Sequence, residues 1–415
     1  MIAQRFFAVI VFVGFCNSLY SMGEDNRYLP LIQRPYILVE NRPSHFTTDA
    51  FMTTASSAFL NTDETVGITE IYGPYDQTAI GAALEVLGKD NPLKTFGDEF
   101  IKMANRLDLC WHAKGKIQTQ GFIISLEQAL SDWFSIGFCT FFMRANGYQE
   151  FFLKQEDTAR LSEDVVFKLD QLRIDMNNTL GISDAHSSQV GFGDIDAFIR
   201  FRGLREYAYR FKKIEGGVRL GFLIPTGKHR DITKPISIPF GGNGHWGAYF
   251  QGDVELELKE DWKVGVLFRL SKRFARITDQ RLTVAKESLA YGAVVAPVRI
   301  DPGVSVACTP WIALENVRDG LGLRLLYTLM FHSSDTWQDA RINRSLPVSL
   351  VQATAKSRWG SGYVTLNAFY DFGKMKVCRG CEPIVSLAWD IPVPQFVARR
   401  SIKSHRISLG VELNY

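Results

Sequence analysis

The sequence predicts an all-β protein: a transmembrane antiparallel up-and-down β-barrel of about twelve strands, with short helices in long extracellular loops. Three observations predict it. The last residues, Ser404 to Tyr415, place Ile407, Leu409, Val411, Leu413 and Tyr415 on one parity, and Arg406, Ser408, Gly410, Glu412 and Asn414 on the other. A strand of that period has one apolar and one polar face, and this one ends on an aromatic ring where a soluble terminus would fray into polar residues. Short and long connections alternate along the chain. Beyond the N-terminal run, no apolar stretch is long enough to span a bilayer as a helix, yet 46% of the residues are hydrophobic and 13% aromatic, with 30 Phe and 14 Tyr. That composition folds and suits the aromatic girdles of a barrel.

The chain opens with Arg5 ahead of an apolar run from Phe6 to Phe15, closed by Asn17 and Ser18. This layout predicts a secretory signal peptide over 1–21, too short to span as a helix, followed by one barrel domain over 22–415. Cys16 follows the bulky Phe15, which excludes a lipidation site. Export makes the outer membrane the expected destination, with lipid bilayer and barrel-assembly machinery as partners.

Period-2 alternation between turn signals predicts strands near 43–59, 115–128, 133–148, 192–202, 214–226, 245–259, 263–276, 302–318, 321–335, 360–372, 381–391 and 404–415. In the second of these the apolar phase slips around Gly121. Segments Tyr36–Glu40 and Tyr291–Arg299 would extend the count to fourteen. Connections after even-numbered strands are short and those after odd-numbered strands long, which places the termini and short turns in the periplasm. A Greek-key sandwich would not sort its loops this way. Asp319-Gly320 carries a type I′ hairpin signal that sets Glu315 opposite Arg324. A three-residue turn at Glu260–Trp262 sets Asp253 opposite Arg269. In the long loops, Ser162 caps a helix from Glu163 to about Leu180, and Gln77–Leu87 and Gly97–Leu107 have helical spacing.

Parity assigns the two surfaces. The closing strand's lipid face is Ile407, Leu409, Val411, Leu413 and Tyr415. The candidate lumen-lining residues are Arg200, Arg202, Arg219, Asp253, Glu255, Glu257, Arg269, Arg273, Glu315, Arg324 and Glu412, together with Lys263 and Asp371. Both signs are present, so neighbouring charges are expected to offset one another across the inner wall.

Gly191-Phe192-Gly193-Asp194-Ile195 opens one strand, and the next runs from Gly217 and leaves through Leu223-Ile224-Pro225-Thr226-Gly227-Lys228. This pairing over about residues 191–228 resembles the outer-membrane transporters associated with phenol meta-degradation pathways. The resemblance implies a barrel that passes small molecules, apolar ones among them. The helical insertions in the long loops are not part of that resemblance.

Other chemistry is poorly represented. A net charge of +3 over 415 residues, with no basic run, speaks against nucleic acid. No cofactor or metal is predicted, because the histidines are scattered without ligand spacing. Cys378 and Cys381 form the only close pair, read as a turn disulfide or two thiols. His186-Ser187-Ser188 and His332-Ser333-Ser334 supply the spacing of a barrel hydrolase, which would need Ser188 or Ser334 as nucleophile. The leading expectation is a non-enzymatic channel or transporter for small solutes. The alternatives are a surface anchor whose long loops bind a partner, and a hydrolase.

Overall fold

A computed structural model describes residues 26–32, 34–35, 44–86, 110–159, 161–183, 185–206, 211–259, 261–284, 286–375 and 382–415. Twelve strands form the wall: β1 (His45–Phe59), β2 (Cys110–Ala129), β3 (Phe134–Phe152), β4 (Ile195–Glu206), β5 (Lys213–Ile224), β6 (Gly247–Lys259), β7 (Trp262–Arg273), β8 (Val304–Arg318), β9 (Leu321–His332), β10 (Trp359–Asp371), β11 (Glu382–Val393) and β12 (Ser401–Asn414). Each pairs antiparallel with the next. The sheet closes on itself because β1 pairs with β2 through His45↔Glu127 and with β12 through His45↔Asn414. Closure leaves no unpaired edge, as a strand-built membrane span requires.

The outer surface is an apolar belt. Phe122, Phe222, Leu220, Phe250, Leu325, Leu366, Leu387, Ile407 and Leu409 all stand exposed on it. Exposed Trp133, Trp262 and Tyr415 lie at the short-turn end, and Tyr148 and Trp246 at the other. A closed barrel with an apolar exterior and aromatic margins is the architecture of a bacterial outer-membrane protein. Among the described residues no helix is long and apolar enough to cross a membrane. Leu409, 55% exposed at mid-strand, is a direct probe of this surface. Replacing it with Lys is expected to cost about 2–4 kcal/mol if it lies near the bilayer midplane, and replacing it with Phe far less. Unfolding titrations in lipid vesicles check the difference.

Several expectations need correction. Arg318 does pair with Leu321 across the Asp319-Gly320 turn, but a bulge then shifts the register so that Arg324 faces Ala313, not Glu315. At the next turn Trp262 pairs with Lys259, and a second bulge sets Asp253 opposite Leu267 and Arg269 opposite Gln251. An extra residue on one side of a hairpin moves every later pairing, and turn residues alone do not report it. The segment around Tyr291–Arg299 is not a wall strand. Its strand, Val294–Asp301, belongs to a separate three-stranded sheet with Arg276–Leu282 and Thr336–Asp339 at the long-loop end. The strand near 192–202 is broken: His186–Phe192 and β4 both pair with β3, out of step by one residue.

The loop helices are α1 (Gln77–Val86), a single turn α2 (Gln155–Thr158) and α3 (Glu163–Thr179). Leu169, Leu172 and Met176 of α3 pack against Ile80 and Leu84 of α1 as part of one buried cluster. The segments 1–21, Tyr36–Glu40 and Gly97–Leu107, and the pair Cys378 and Cys381, lie outside the described residues.

The largest departure concerns what fills the barrel. Strand alternation places β1 at the start of the wall and leaves the preceding residues in the periplasm. Instead, residues 26–32 and 34–35 run inside the barrel. Asn26 reaches the long-loop end, where its Nδ2 donates to the Pro239 carbonyl at 2.8 Å. Leu29 and Leu31 pack with Phe51, Ile117, Ile123, Phe141 and Met143 on one wall. Ile32 packs with Ala307, Met330, Trp359 and Tyr363 on the other. The segment therefore bridges the lumen. Ile236, Ile238 and Phe240 of the 225–246 loop fold inward onto the same cluster. This explains the slipped phase near Gly121, because the inner face of β2 meets apolar side chains there instead of water. Gly121 itself has no room for a Cβ, which would lie 2.7 Å from that of Met143.

Candidate functional site

The inner wall carries a ladder of buried ion pairs. Glu127 lies at its most crowded point, accepting from Arg219 Nη2 at 2.9 Å, Arg200 Nη1 at 3.4 Å and Ser135 Oγ at 2.6 Å. Arg200 also donates to Asp253 at 2.8 Å, and Arg269 to Asp196 at 3.0 Å. Lys263 lies between Glu255 at 3.1 Å and Glu315 at 3.0 Å. Glu257 meets Lys212 at 3.2 Å toward the short-turn end. Arg202 is at the rim, braced on the Asp132 carbonyl at 2.9 Å. Asp371 is buried and accepts the Gly373 N–H at 2.9 Å.

The closing strand follows the same alternation. Ile407, Leu409 and Tyr415 are exposed, with Val411 and Leu413 half-buried on the same parity, while Arg406, Ser408 and Asn414 are buried. Glu412 lines a cavity of about 70 Å³ with Arg34 and Arg324.

The internal segment is held by this wall through polar bonds. Arg324 Nη1 donates to the Pro35 carbonyl at 2.6 Å, Arg406 Nη2 to the Ile32 carbonyl at 3.3 Å, and the Ile402 N–H to the Arg27 carbonyl at 3.1 Å. Arg34 extends between Asp49 at 3.7 Å and Asp390 at 3.8 Å and donates to Ser408 Oγ. Asp390 also pairs with Arg406. Sequence reasoning placed Arg324 on the inner wall but missed Glu127, Asp196, Asp390 and Arg34. Alternation in β2 was obscured by its apolar inner face, and Arg34 precedes any strand.

The residues that carried the family resemblance come together as one clasp. Asp194, fully buried, accepts the Gly227 N–H at 3.1 Å and the Gly242 N–H at 2.6 Å, and pairs with Arg273 at 2.7 Å. Thr226 Oγ1 donates to the Gly193 carbonyl at 2.9 Å. A Cβ on Gly227 would lie 1.8 Å from the Phe240 carbonyl oxygen, so only glycine permits this approach. The clasp breaks the strand before β4 and directs the 225–246 loop into the lumen.

Above the segment lies a cavity of about 190 Å³, lined by Arg27, Tyr28, Tyr72, Arg230, Arg281 and Trp337 among others. At its edge His332 links two partners: its Nδ1 meets Ser305 Oγ at 2.8 Å and its Nε2 meets Asp335 Oδ1 at 2.7 Å. Ser334, the serine singled out by spacing, is exposed and takes no part; the partner is Ser305 on the adjoining strand. His186 is exposed beside Tyr148, and Ser188 donates to Asn146 at 2.9 Å.

Asp335 Oδ1 also accepts the Gly303 N–H at 2.9 Å, and the Asp335 N–H donates to Ser357 Oγ at 2.7 Å. The chain thus latches the 333–358 loop onto the ends of β8 and β9. Burial opposes ionisation of Asp335, but the bond and charge of His332 and the Gly303 N–H outweigh it, and its carboxyl titrates below the usual range. A depressed folded value means that the latch is fully present above the unfolded carboxylate pKa of about 4 and is lost as pH falls through the folded one. Limited proteolysis with an acid-active protease should therefore show the 333–358 loop opening only under strong acid, whereas Asp335→Asn should expose it across the range. Ser305→Ala removes one hydrogen bond, a change of about 1 kcal/mol in unfolding titrations.

The chain matches no protein-family model and no curated protein. Among solved structures, it is similar to an outer membrane channel from Pseudomonas putida F1, with 12% identity over 93% of this chain and 100% of that one, at a TM-score of 0.49. The translocator domain of the autotransporter NalP from Neisseria meningitidis shares 10% identity over 91% of this chain and 90% of that one, at 0.34. A FadL homologue from Pseudomonas aeruginosa shares 9% over 91% and 90%, at 0.33.

Proposed function

We propose that this barrel passes small solutes across the outer membrane, apolar ones among them, through a lumen that residues 26–35 close until they are displaced. The observation that carries the proposal is the segment itself. It bridges both walls between a cavity of about 190 Å³ on the loop side and one of about 70 Å³ lined by Arg34 and Glu412. Its anchors are hydrogen bonds and ion pairs to lumen side chains, which water can replace when the segment leaves. The resulting passage would be lined by Arg200, Arg219, Arg269 and the carboxylates that offset them, so weak ion selectivity is expected. Residues 1–21 would direct export, and the closing strand would engage the assembly machinery.

One observation favours the anchor alternative. Leu29, Leu31 and Ile32 are almost fully buried, so the plug is packed and not loosely threaded. Planar-bilayer recordings separate the two. Discrete, intermittent openings of the intact protein support passage. A silent intact protein, whose loss leaves solute uptake by cells unchanged, assigns the barrel to anchoring.

A further inference from the structure

The cavity above the plug has an unusual charge balance. Arg27, Arg230 and Arg281 all line it, and among the described residues none of the three lies within 4.0 Å of a carboxylate. Arg27 and Arg281 spend their N–H groups on carbonyl oxygens: Arg27 on those of Lys356 and Ser357, Arg281 on those of Ile232, Gly292 and Leu180. Carbonyls satisfy the donors without neutralising the charge. Arg230 is less satisfied still. Its guanidinium donates to the Pro235 carbonyl at 3.0 Å, while its buried Nε has no hydrogen-bond partner.

Arg27 and Arg230 both lie over the Tyr72 ring, 5.5 Å and 5.1 Å from its centroid. The other charged groups facing the cavity offset one another: Arg273 pairs with Asp194 at 2.7 Å, and Asp335, the only carboxylate lining it among the described residues, with His332 at 2.7 Å. Burial pushes the Tyr72 hydroxyl up, but Arg27 and Arg230 outweigh it and bring its titration below the usual phenol value. Unpaired cations removed from water are costly, so the cavity is built to receive a negative charge.

Polar side chains such as Asn26, Asn243 and Gln280 share the rest of the wall with an apolar part. Ile300, Leu289, Ala353 and Trp337 line it. At about 190 Å³ it exceeds the roughly 150 Å³ of an apolar cavity that holds benzene, so it has room for one ring-sized body.

We propose that this vestibule is a binding site for a small organic carboxylate with an apolar body, its headgroup held by Arg230 beside Arg27 and its body against Ile300 and Trp337. The proposal deepens the transport function by giving the solute a class. Because Arg27 belongs to the plug and lines the site, an anion held there meets the gate directly. A guanidinium offers a carboxylate two parallel N–H bonds, and Arg230 has a donor to give without breaking one it already makes.

The test is isothermal titration of the detergent-solubilised full chain with cyclohexanecarboxylate, its neutral amide and inorganic phosphate. Saturable binding of the carboxylate is expected, with the amide weaker by about tenfold or more, as the loss of a charge-assisted bidentate contact implies. Phosphate, which has the charge without the body, should also bind more weakly. Arg230→Gln should lose the carboxylate's advantage over the amide, and Arg230→Lys should recover part of it. Heat-modifiable electrophoretic mobility verifies assembly of each variant. Should Arg230→Gln fail to assemble, the carboxylate–amide comparison on the intact protein decides alone. Absence of binding, equal binding of the amide, equal binding of phosphate, or an unchanged preference in assembled Arg230→Gln each overturns the proposal. Binding is read without conductance, so the site and the channel can fail separately.

Discussion

Deleting residues 26–35 while keeping the rest of the chain should raise single-channel conductance severalfold and convert intermittent openings into sustained ones. A twelve-strand barrel is intermediate between eight-strand barrels filled by side chains and porins with an aqueous channel. Its lumen is closed here by a segment that touches both walls, with Leu29 and Leu31 on one side and Ile32 on the other. Removing it also frees Arg324 and Arg406 from the carbonyls of Pro35 and Ile32. The deletion takes away two positive charges, Arg27 and Arg34, and leaves Asp49 and Asp390 without Arg34, so a shift toward cations should accompany the larger conductance. Planar-bilayer recordings with reversal potentials in a salt gradient measure both. Equal conductance from the intact and shortened proteins, both assembled, would show that the segment does not close the path.

Glu127→Ala should be the most damaging single substitution on the inner wall, destabilising the barrel by about 3–5 kcal/mol, because removing the carboxylate from a buried ion cluster leaves its positive charge under-compensated. Glu127 is 1% exposed and bonds both Arg200 and Arg219. Arg200 keeps Asp253 after the change. Glu127 also faces His45 across the β1–β2 pairing, and His45 in turn pairs with Asn414 of the closing strand, so the loss falls beside the seam of the barrel. Glu255→Ala is the comparison. It leaves Lys263 with Glu315 at 3.0 Å and involves a half-buried group, so a smaller loss is expected. Urea midpoints in vesicles, read by tryptophan fluorescence, rank the two. Similar midpoints would mean that the Glu127 cluster relaxes around the vacancy, with water reaching the arginines.

The wall was legible from strand alternation alone. Alternation at residues such as Leu409 and Arg406 records which medium each face meets, and that is a local property of a strand. The order of short and long connections followed, and with it the twelve antiparallel pairings and their closure. Charges on the inner parity, such as Arg269 and Lys263, were legible for the same reason. Their partners were not. Bulges after Leu314 and near Trp262 shift the register, and Asp196 and Glu127 reach their arginines from strands far away in the chain. The clasp at Asp194 was visible only as a motif. Its role depends on Gly227 and Gly242 arriving from another loop.

What the barrel contains became visible only in the assembled fold. Residues 26–32 and 34–35 have no strand or helix period to announce them, since their conformation comes from the walls around them. An inner face packed against Leu31 carries the same apolar side chains as a face turned to lipid, so Ile117 and Ile123 look like noise in β2 until the segment is seen. The vestibule likewise exists only once Arg27, Arg230 and Arg281, widely separated in the chain, converge on one cavity. Periodicity reports whether a side chain leaves water, and the assembled fold alone decides what it meets instead.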